Sequence, residues 1–423
     1  MTRRKTWRLA LPLCLTLVAT TAGGAQAVAK APDAAASAPA GHRGHGGGHG
    51  GGNAIPPATF AAAAEYETGT RPWATTYGDF DGDGRVDAVT GNGGGSISVF
   101  RNLGGGTFGE RADYAAPALP YFLLFDLVAV DFNNDGHLDI AVSGGNPVGN
   151  VVLYANNGDG TFAEPTSVPM GFGPNQIAVG DLNRDGKQDL LTANNFSADV
   201  SVRLGRGNGT FGPERRYQIG PGPQGLAVAD VNRDHIPDIL TGNFGRLEDS
   251  LSVLLGRGDG TFRPARNYAA GLSVNDVAVA DFNRDGLPDV ALPEFVSNQV
   301  EVLLGRPGGR FGQPTAYPIG TGVNEMSLGD FNADGKIDIA TTVSPDNNRD
   351  PSAPPPPAGT KGAGVSILLG NGDGTFGGMN VLAVTGAVAS VRAVDVTNDG
   401  LPDLVGANLN TQSLAVWLNT TPR

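Results

Sequence analysis

From residue 58 onward, short runs of apolar or alternating apolar and polar residues are cut by bends rich in Gly, Asn and Asp. One stretch shows the plan. "QIAVGD" ends in an acidic bend, and "DLLTAN" follows it. "DVSVRLG" then alternates, and the glycine turn "RGNGTF" leads into the polar run "FGPERRYQI". Runs of this length, bounded by turn formers, are strands. The first is largely apolar, as a strand buried on both faces should be. The last is polar, as an outer edge should be.

The plan recurs with the acidic bend as its marker. The copies are "DFDGDGRVD" from Asp79, "DFNNDGHLD" from Asp131, "DLNRDGKQD" from Asp181, "DVNRDHIPD" from Asp230, "DFNRDGLPD" from Asp281, "DFNADGKID" from Asp330 and "DVTNDGLPD" from Asp395. Their spacings are 52, 50, 49, 51, 49 and 65 residues, the last lengthened by the proline-rich insertion 344–362. Self-similarity at such a period marks a repeat architecture. Four-stranded units repeated radially make a β-propeller, so the expected fold is all-β with seven four-stranded blades. The seventh repeat stops after its third strand, near "LAVWLN". The segment "ATFAAAAEYETG", residues 58–69, is expected to pair with Ala415–Leu418 and complete that blade.

The remaining sequence divides as 1–27, 28–57 and the propeller at 58–423. "MTRRKTWR", "LALPLCLTLVA" and "AQA" read as the basic, apolar and cleavage regions of a secretory signal, by the general or the twin-arginine route. The protein is expected outside the cell or at its surface, with no transmembrane segment after cleavage. Cys14 is the only cysteine, so no internal disulfide is possible. Residues 28–57 are a Gly, Ala, Pro and His linker; His42, His45 and His49 are read as incidental to a tether. The formal charge is −13, which argues against nucleic acid as a partner. A monomer is expected.

The acidic bends carry the candidate chemistry. Of the 42 acidic residues, 22 lie in the 63 positions of these seven bends. Turn propensity alone does not require Asp at fixed offsets. Oxygen-bearing side chains at positions 1, 3, 5 and 9 suit a hard divalent cation, which takes six to eight oxygens. The expected Ca²⁺ ligands are Asp79, Asp81, Asp83 and Asp87; Asp131, Asn133, Asp135 and Asp139; Asp181, Asn183, Asp185 and Asp189. They continue with Asp230, Asn232, Asp234 and Asp238; Asp281, Asn283, Asp285 and Asp289; Asp330, Asn332, Asp334 and Asp338; Asp395, Thr397, Asp399 and Asp403. Up to seven ions are implied. Position 7 varies freely and is expected to offer its carbonyl. Glycine at position 6 permits the positive φ of a tight wrap. His235 replaces that glycine and Thr397 replaces an Asp or Asn, so these two bends should bind most weakly. No Glu stands at position 12, and the flanks read as strands, which excludes an EF-hand.

With these residues in view, the chain resembles the FG-GAP/VCBS-repeat proteins, related to the integrin α-subunit N-terminal propeller. The acidic bends and the "GDGTF" turns at 159–162, 259–262 and 373–376 carry the resemblance, which covers residue 58 to the end. It implies calcium between the first and second strands of a blade, a stiffening role for the ion, and ligands bound elsewhere, including the opposite face. His235, Thr397 and the turn "RPGGRF" at 306–311 depart from the pattern.

The loops on the opposite face carry Trp73, Phe172, Phe196, Phe244 and Phe295 beside polar residues, a combination suited to a sugar or peptide. Hub or blade packing is the competing role for them. The expected function is a binding or adhesion module for an extracellular glycan or protein. The alternative is a polysaccharide lyase or hydrolase acting through an acid pair of those loops, for example Glu294 and Asp346, though nothing marks that pair out. The propeller's only histidines, His137 and His235, lie in acidic bends, and no nucleophile or zinc motif is present.

Overall fold

In the computed structural model, residues 57–117, 124–145, 148–245, 250–320, 322–343, 363–384 and 386–422 are described. The expected signal and all but the last residue of the linker, with His42, His45 and His49, lie outside these residues, as do the insertion 344–362 and Asp346.

Every described regular element is a β-strand. Seven sheets of four antiparallel strands account for the blades. Blade three runs Pro174–Gly180, Asp189–Asn194, Asp199–Arg203 and Arg215–Gln218, in spatial order. The first strands of successive blades touch from one to seven, and that of blade seven touches blade one, so the ring is closed.

Burial follows the radial position. All seven second strands, such as Asp238–Asn243, are buried along their whole length. In five blades the outer strand is exposed except at its third residue, which is Tyr66, Tyr114, Tyr217, Tyr268 or Tyr317. Each tyrosine packs edge-on against the phenylalanine of the next blade's glycine turn. Tyr114 meets Phe162 at 5.3 Å, Tyr217 meets Phe262 at 5.2 Å and Tyr317 meets Phe376 at 5.4 Å between centroids. Such pairs contribute about 0.5–1.5 kcal/mol beyond the area they bury.

Closure uses the N-terminal strand Ala64–Glu67, which pairs with Ser413–Val416. The expected partner was Ala415–Leu418, so the ladder sits two residues earlier. The Thr-Phe pair explains the offset. Phe60 bridges to Asn419, as Phe162 does to Asn156 and Phe262 to Gly256. Thr59 and Phe60 therefore supply the missing glycine-turn segment of blade seven, and the outer strand follows from that anchor.

The hub is polar as well as apolar. Asp126, Asp276, Glu325 and Arg392 are buried at the start of, or within, the first strands. Arg392 pairs with Glu325 and lies close enough to Asp126 and Asp276 to act on both. Burial lifts the Asp126 carboxyl to about 7, against the pull of Arg392. Sequence pattern marks neither partner, because the ring must close before they meet.

Candidate functional site

The seven acidic bends join first to second strands on one face of the ring. Each folds around its first residue. The Asp79 carboxylate accepts the amides of Gly82 and Asp83 at Oδ1 and of Gly84 at Oδ2, at 2.8, 3.1 and 2.9 Å. Asp281 likewise accepts Asp285 and Gly286, at 3.1 and 2.7 Å. The side chain at position 3 accepts the amide of position 5, as Asn283 does from Asp285 at 2.9 Å. These bonds curl the backbone and gather oxygens inside the bend.

Two residues in every bend take positive φ. At position 6 these are glycines such as Gly84, φ 83°, and, in the fourth bend, His235, φ 63°. Position 4 does the same with Asn134, Arg184, Arg233, Arg284, Ala333 and Asn398. Left-handed backbone costs a non-glycine residue about 1–2 kcal/mol. The geometry has a use: position 4 points at the next bend. Arg184 donates to the carbonyl of His235, Arg284 to that of Gly335, and Asn398 to that of Gly84. Three of the bends are thus tied to their neighbours.

His235 gains only one long contact, with Nδ1 4.0 Å from Asp230 Oδ2, and its side chain is 93% exposed. His235→Gly is expected to raise stability by about 1 kcal/mol, or roughly 2 °C in Tm. Calorimetry in chelator checks this, and a lowered Tm would refute it.

Position 9 differs from the rest of the bend. Asp87, Asp139, Asp189, Asp238, Asp289, Asp338 and Asp403 are wholly buried. Each carboxylate spans two backbone amides: in Asp189, Leu182 donates at 2.9 Å and Gly205 at 2.8 Å. The residue therefore ties its bend to the end of the third strand. Burial outweighs these bonds and lifts Asp87, Asp139, Asp189 and Asp238 to about 6 and Asp338 to about 7. The other bend carboxylates push in the same direction.

The first bend brings three carboxylates together. Ligand atoms of Asp79, Asp81 and Asp87 lie within 4.8 Å of one another. Asp83, the fourth expected member, turns to Arg85. Lys187 and Lys336, at the same position 7, reach Asp185 and Asp334 at 3.1 and 2.8 Å. Position 7 is not indifferent, as its sequence variety implied: three bends place a cation there. In the seventh bend the Thr397 hydroxyl donates to Asp395 at 3.2 Å, spending oxygen on a hydrogen bond. All-oxygen donor sets of this type suit a hard cation.

On the opposite face the expected aromatics meet in pairs. Phe172 and Phe196 are 5.8 Å apart and edge-on, and Phe244 and Phe295 are 6.3 Å apart. Trp73 lies under the Arg71 guanidinium, 5.8 Å from its ring centre. Glu294 is not on a loop tip. It ends the second strand of blade five, fully buried, and shares the Gln299 amide with Glu301. Burial and Glu301 lift its carboxyl to about 8. A polymer outside cannot reach it.

The FG-GAP-like repeat pattern matches residues 79–142, 131–192, 181–241 and 243–292. The chain belongs to the FG-GAP-like repeat family. As an FG-GAP-like repeat protein it has the seven-bladed architecture that resembles integrin α-type propellers. No curated protein sequence matches it. Among solved structures, BBS1N in complex with ARL6DN is similar in fold. Crystals soaked with lead and with mercury give TM-scores of 0.54 and 0.56, at 12% identity, covering 86% of this chain and 97% of that one. An Agrocybe aegerita lectin that recognises non-reducing terminal N-acetylglucosamine aligns with a TM-score of 0.49 at 19% identity, over 85% of this chain and 94% of that one.

Proposed function

We propose that this FG-GAP-like propeller is an exported, calcium-stiffened binding module that takes an extracellular glycan or protein on the face opposite its acidic bends. The observation that carries the binding role is the placing of exposed apolar side chains. Of the four large exposed hydrophobics among the described residues, Phe196 and Leu272 lie in loops of that face and Phe172 ends the strand that leads into one. Phe172 and Phe196 are 45% and 56% exposed although packed on each other, so a flat ligand has a ring to stack on. Isolated exposed hydrophobics are ordinary, whereas a paired set on one face marks a contact surface. The calcium role rests on the oxygen-lined bends, and export on the N-terminal pattern. The catalytic alternative has nothing to favour it, since Glu294 is buried against Glu301.

A glycan array probed in calcium and in chelator tests the reading. Phe172→Ala combined with Phe196→Ala is expected to weaken any bound glycan at least about tenfold, the loss of roughly 1.4 kcal/mol, while the melting temperature holds. Undiminished binding by that variant would remove this face as the ligand site.

A further inference from the structure

Around the rim, the outer strand of one blade and the glycine turn of the next form a cleft. Three of these turns hold an aspartate with a base near enough to act on its charge. Asp159 feels Arg101, Asp259 feels Arg215 and Asp373 feels Lys336. In each, the carboxylate also accepts the amide and hydroxyl of a threonine, such as Thr161 at 3.0 and 2.6 Å.

Blade five breaks this pattern twice. In its turn, Gly308 stands where those aspartates stand, and Arg310 replaces the threonine. Pro307 replaces a glycine of positive φ, and Gly308, φ 80°, takes over that conformation. The turn has been rebuilt, not merely eroded. Arg306 and Arg310 are cross-strand partners, a placement that sets like charges against each other. Arg266, from the outer strand of blade four, closes the third side, with Nη1 3.4 Å from the Gly308 carbonyl. Among the described residues none of the three arginines pairs with a carboxylate.

The result is a cleft of about 490 Å³ walled by these arginines, Tyr268, Pro307 and Phe311. The corresponding cleft between blades seven and one is lined by Glu65, Glu67 and Glu110 around a single Arg111. A shared architecture thus carries opposite charge in two places. On a chain of net charge −13, three converging guanidiniums are a local reversal.

We propose that the cleft between blades four and five binds the carboxylate of an acidic saccharide, which takes the place of the aspartate missing from the turn. Guanidinium groups grip carboxylates through paired N–H donors, so three of them define both charge and orientation. Tyr268 and Pro307 give a sugar ring an apolar wall. The volume falls within the roughly 300–1,000 Å³ of small-molecule sites, and the open rim lets a polymer run through. This is a second site, remote from the paired aromatics of the opposite face.

Oligogalacturonate titrated calorimetrically into the protein at low salt, in chelator, is the test. Binding is expected, weakening as salt rises. Arg306→Gln with Arg310→Gln should weaken it at least about tenfold, with Arg266→Gln as a second, milder variant and a thermal melt confirming the fold of each. No binding by the parent, or equal binding by the arginine variants, overturns the proposal. Equal competition by polyglutamate overturns the saccharide assignment in favour of an acidic peptide. A chain that binds neutral glycans through Phe172 and Phe196 but ignores oligogalacturonate loses this cleft alone.

Discussion

A chain lacking residues 58–68 is expected to aggregate or to melt at least about 10 °C lower than the parent. That segment supplies two things to blade seven. Ala64–Glu67 is its outer strand, and without it Ser413–Trp417 becomes an open edge, apolar and buried in the parent. Exposed apolar edges recruit other chains. Phe60 packs 6.1 Å from Phe331, and Tyr66 lies 5.6 Å from Phe108, edge-on. Losing two aromatic anchors at the seam costs about 5 kcal/mol or more in analogous core deletions. For a domain of this size each kcal/mol moves Tm by roughly 2 °C. The seam also joins residues that are far apart in sequence: Thr420 donates to the Thr59 carbonyl at 2.8 Å, and the Thr59 amide donates to Thr421 Oγ1 at 2.9 Å. A permuted chain with 58–68 moved behind residue 422 should recover the parent melt. An unchanged melt for the simple deletion, followed by scanning calorimetry, would show that the ring does not depend on this seam.

The repeat made the architecture readable because each feature recurs at one offset. "DFNRDGLPDV" announces a bend, then a buried strand, and the structure gives both at Asp281 and Asp289–Glu294. What failed to show is what depends on register or on neighbours. "AAAAEYE" has little pattern to fix its pairing, so its partner was placed two residues late. The positive φ at Arg184, Arg233, Arg284 and Ala333 had no signal, since Arg and Ala do not favour that region. Its reason lies in the next blade, where Arg184 and Arg284 find their acceptors. The outer-strand tyrosines raised no expectation, because their phenylalanine partners sit in the following repeat. Glu294 looked like a loop acid because "EFVSNQ" is polar; the third strand places Glu301 beside it.

Chelation is expected to have the other large effect, lowering Tm by about 10 °C or more at pH 8, with recovery in Ca²⁺ and little recovery in equimolar Mg²⁺. A site filled at a hundredfold its Kd adds about 2.7 kcal/mol when it binds only the folded chain. Several such sites rival the total margin of an ordinary domain, about 5–15 kcal/mol. Mg²⁺ demands a tighter octahedral shell and gives up water reluctantly, so it is a poor substitute in a bend of Asp and Asn oxygens. The effect should also depend on pH in a definite direction. Without an ion, burial holds Asp87, Asp139, Asp189 and Asp238 near 6, above the value of an unfolded aspartate. The folded chain therefore binds these protons more tightly than the unfolded chain does. The stability they lend is full below about pH 4 and is lost as pH rises through 6. Chelator should accordingly depress Tm more at pH 8 than at pH 5, because at pH 5 protons partly do the work of the ion. Parallel melts in chelator and in Ca²⁺ at the two pH values, with dialysis against labelled Ca²⁺, measure both parts. Identical melts with and without chelator at pH 8, or no calcium uptake by folded protein, would leave the bends as hydrogen-bonded turns whose carboxylates serve only the backbone.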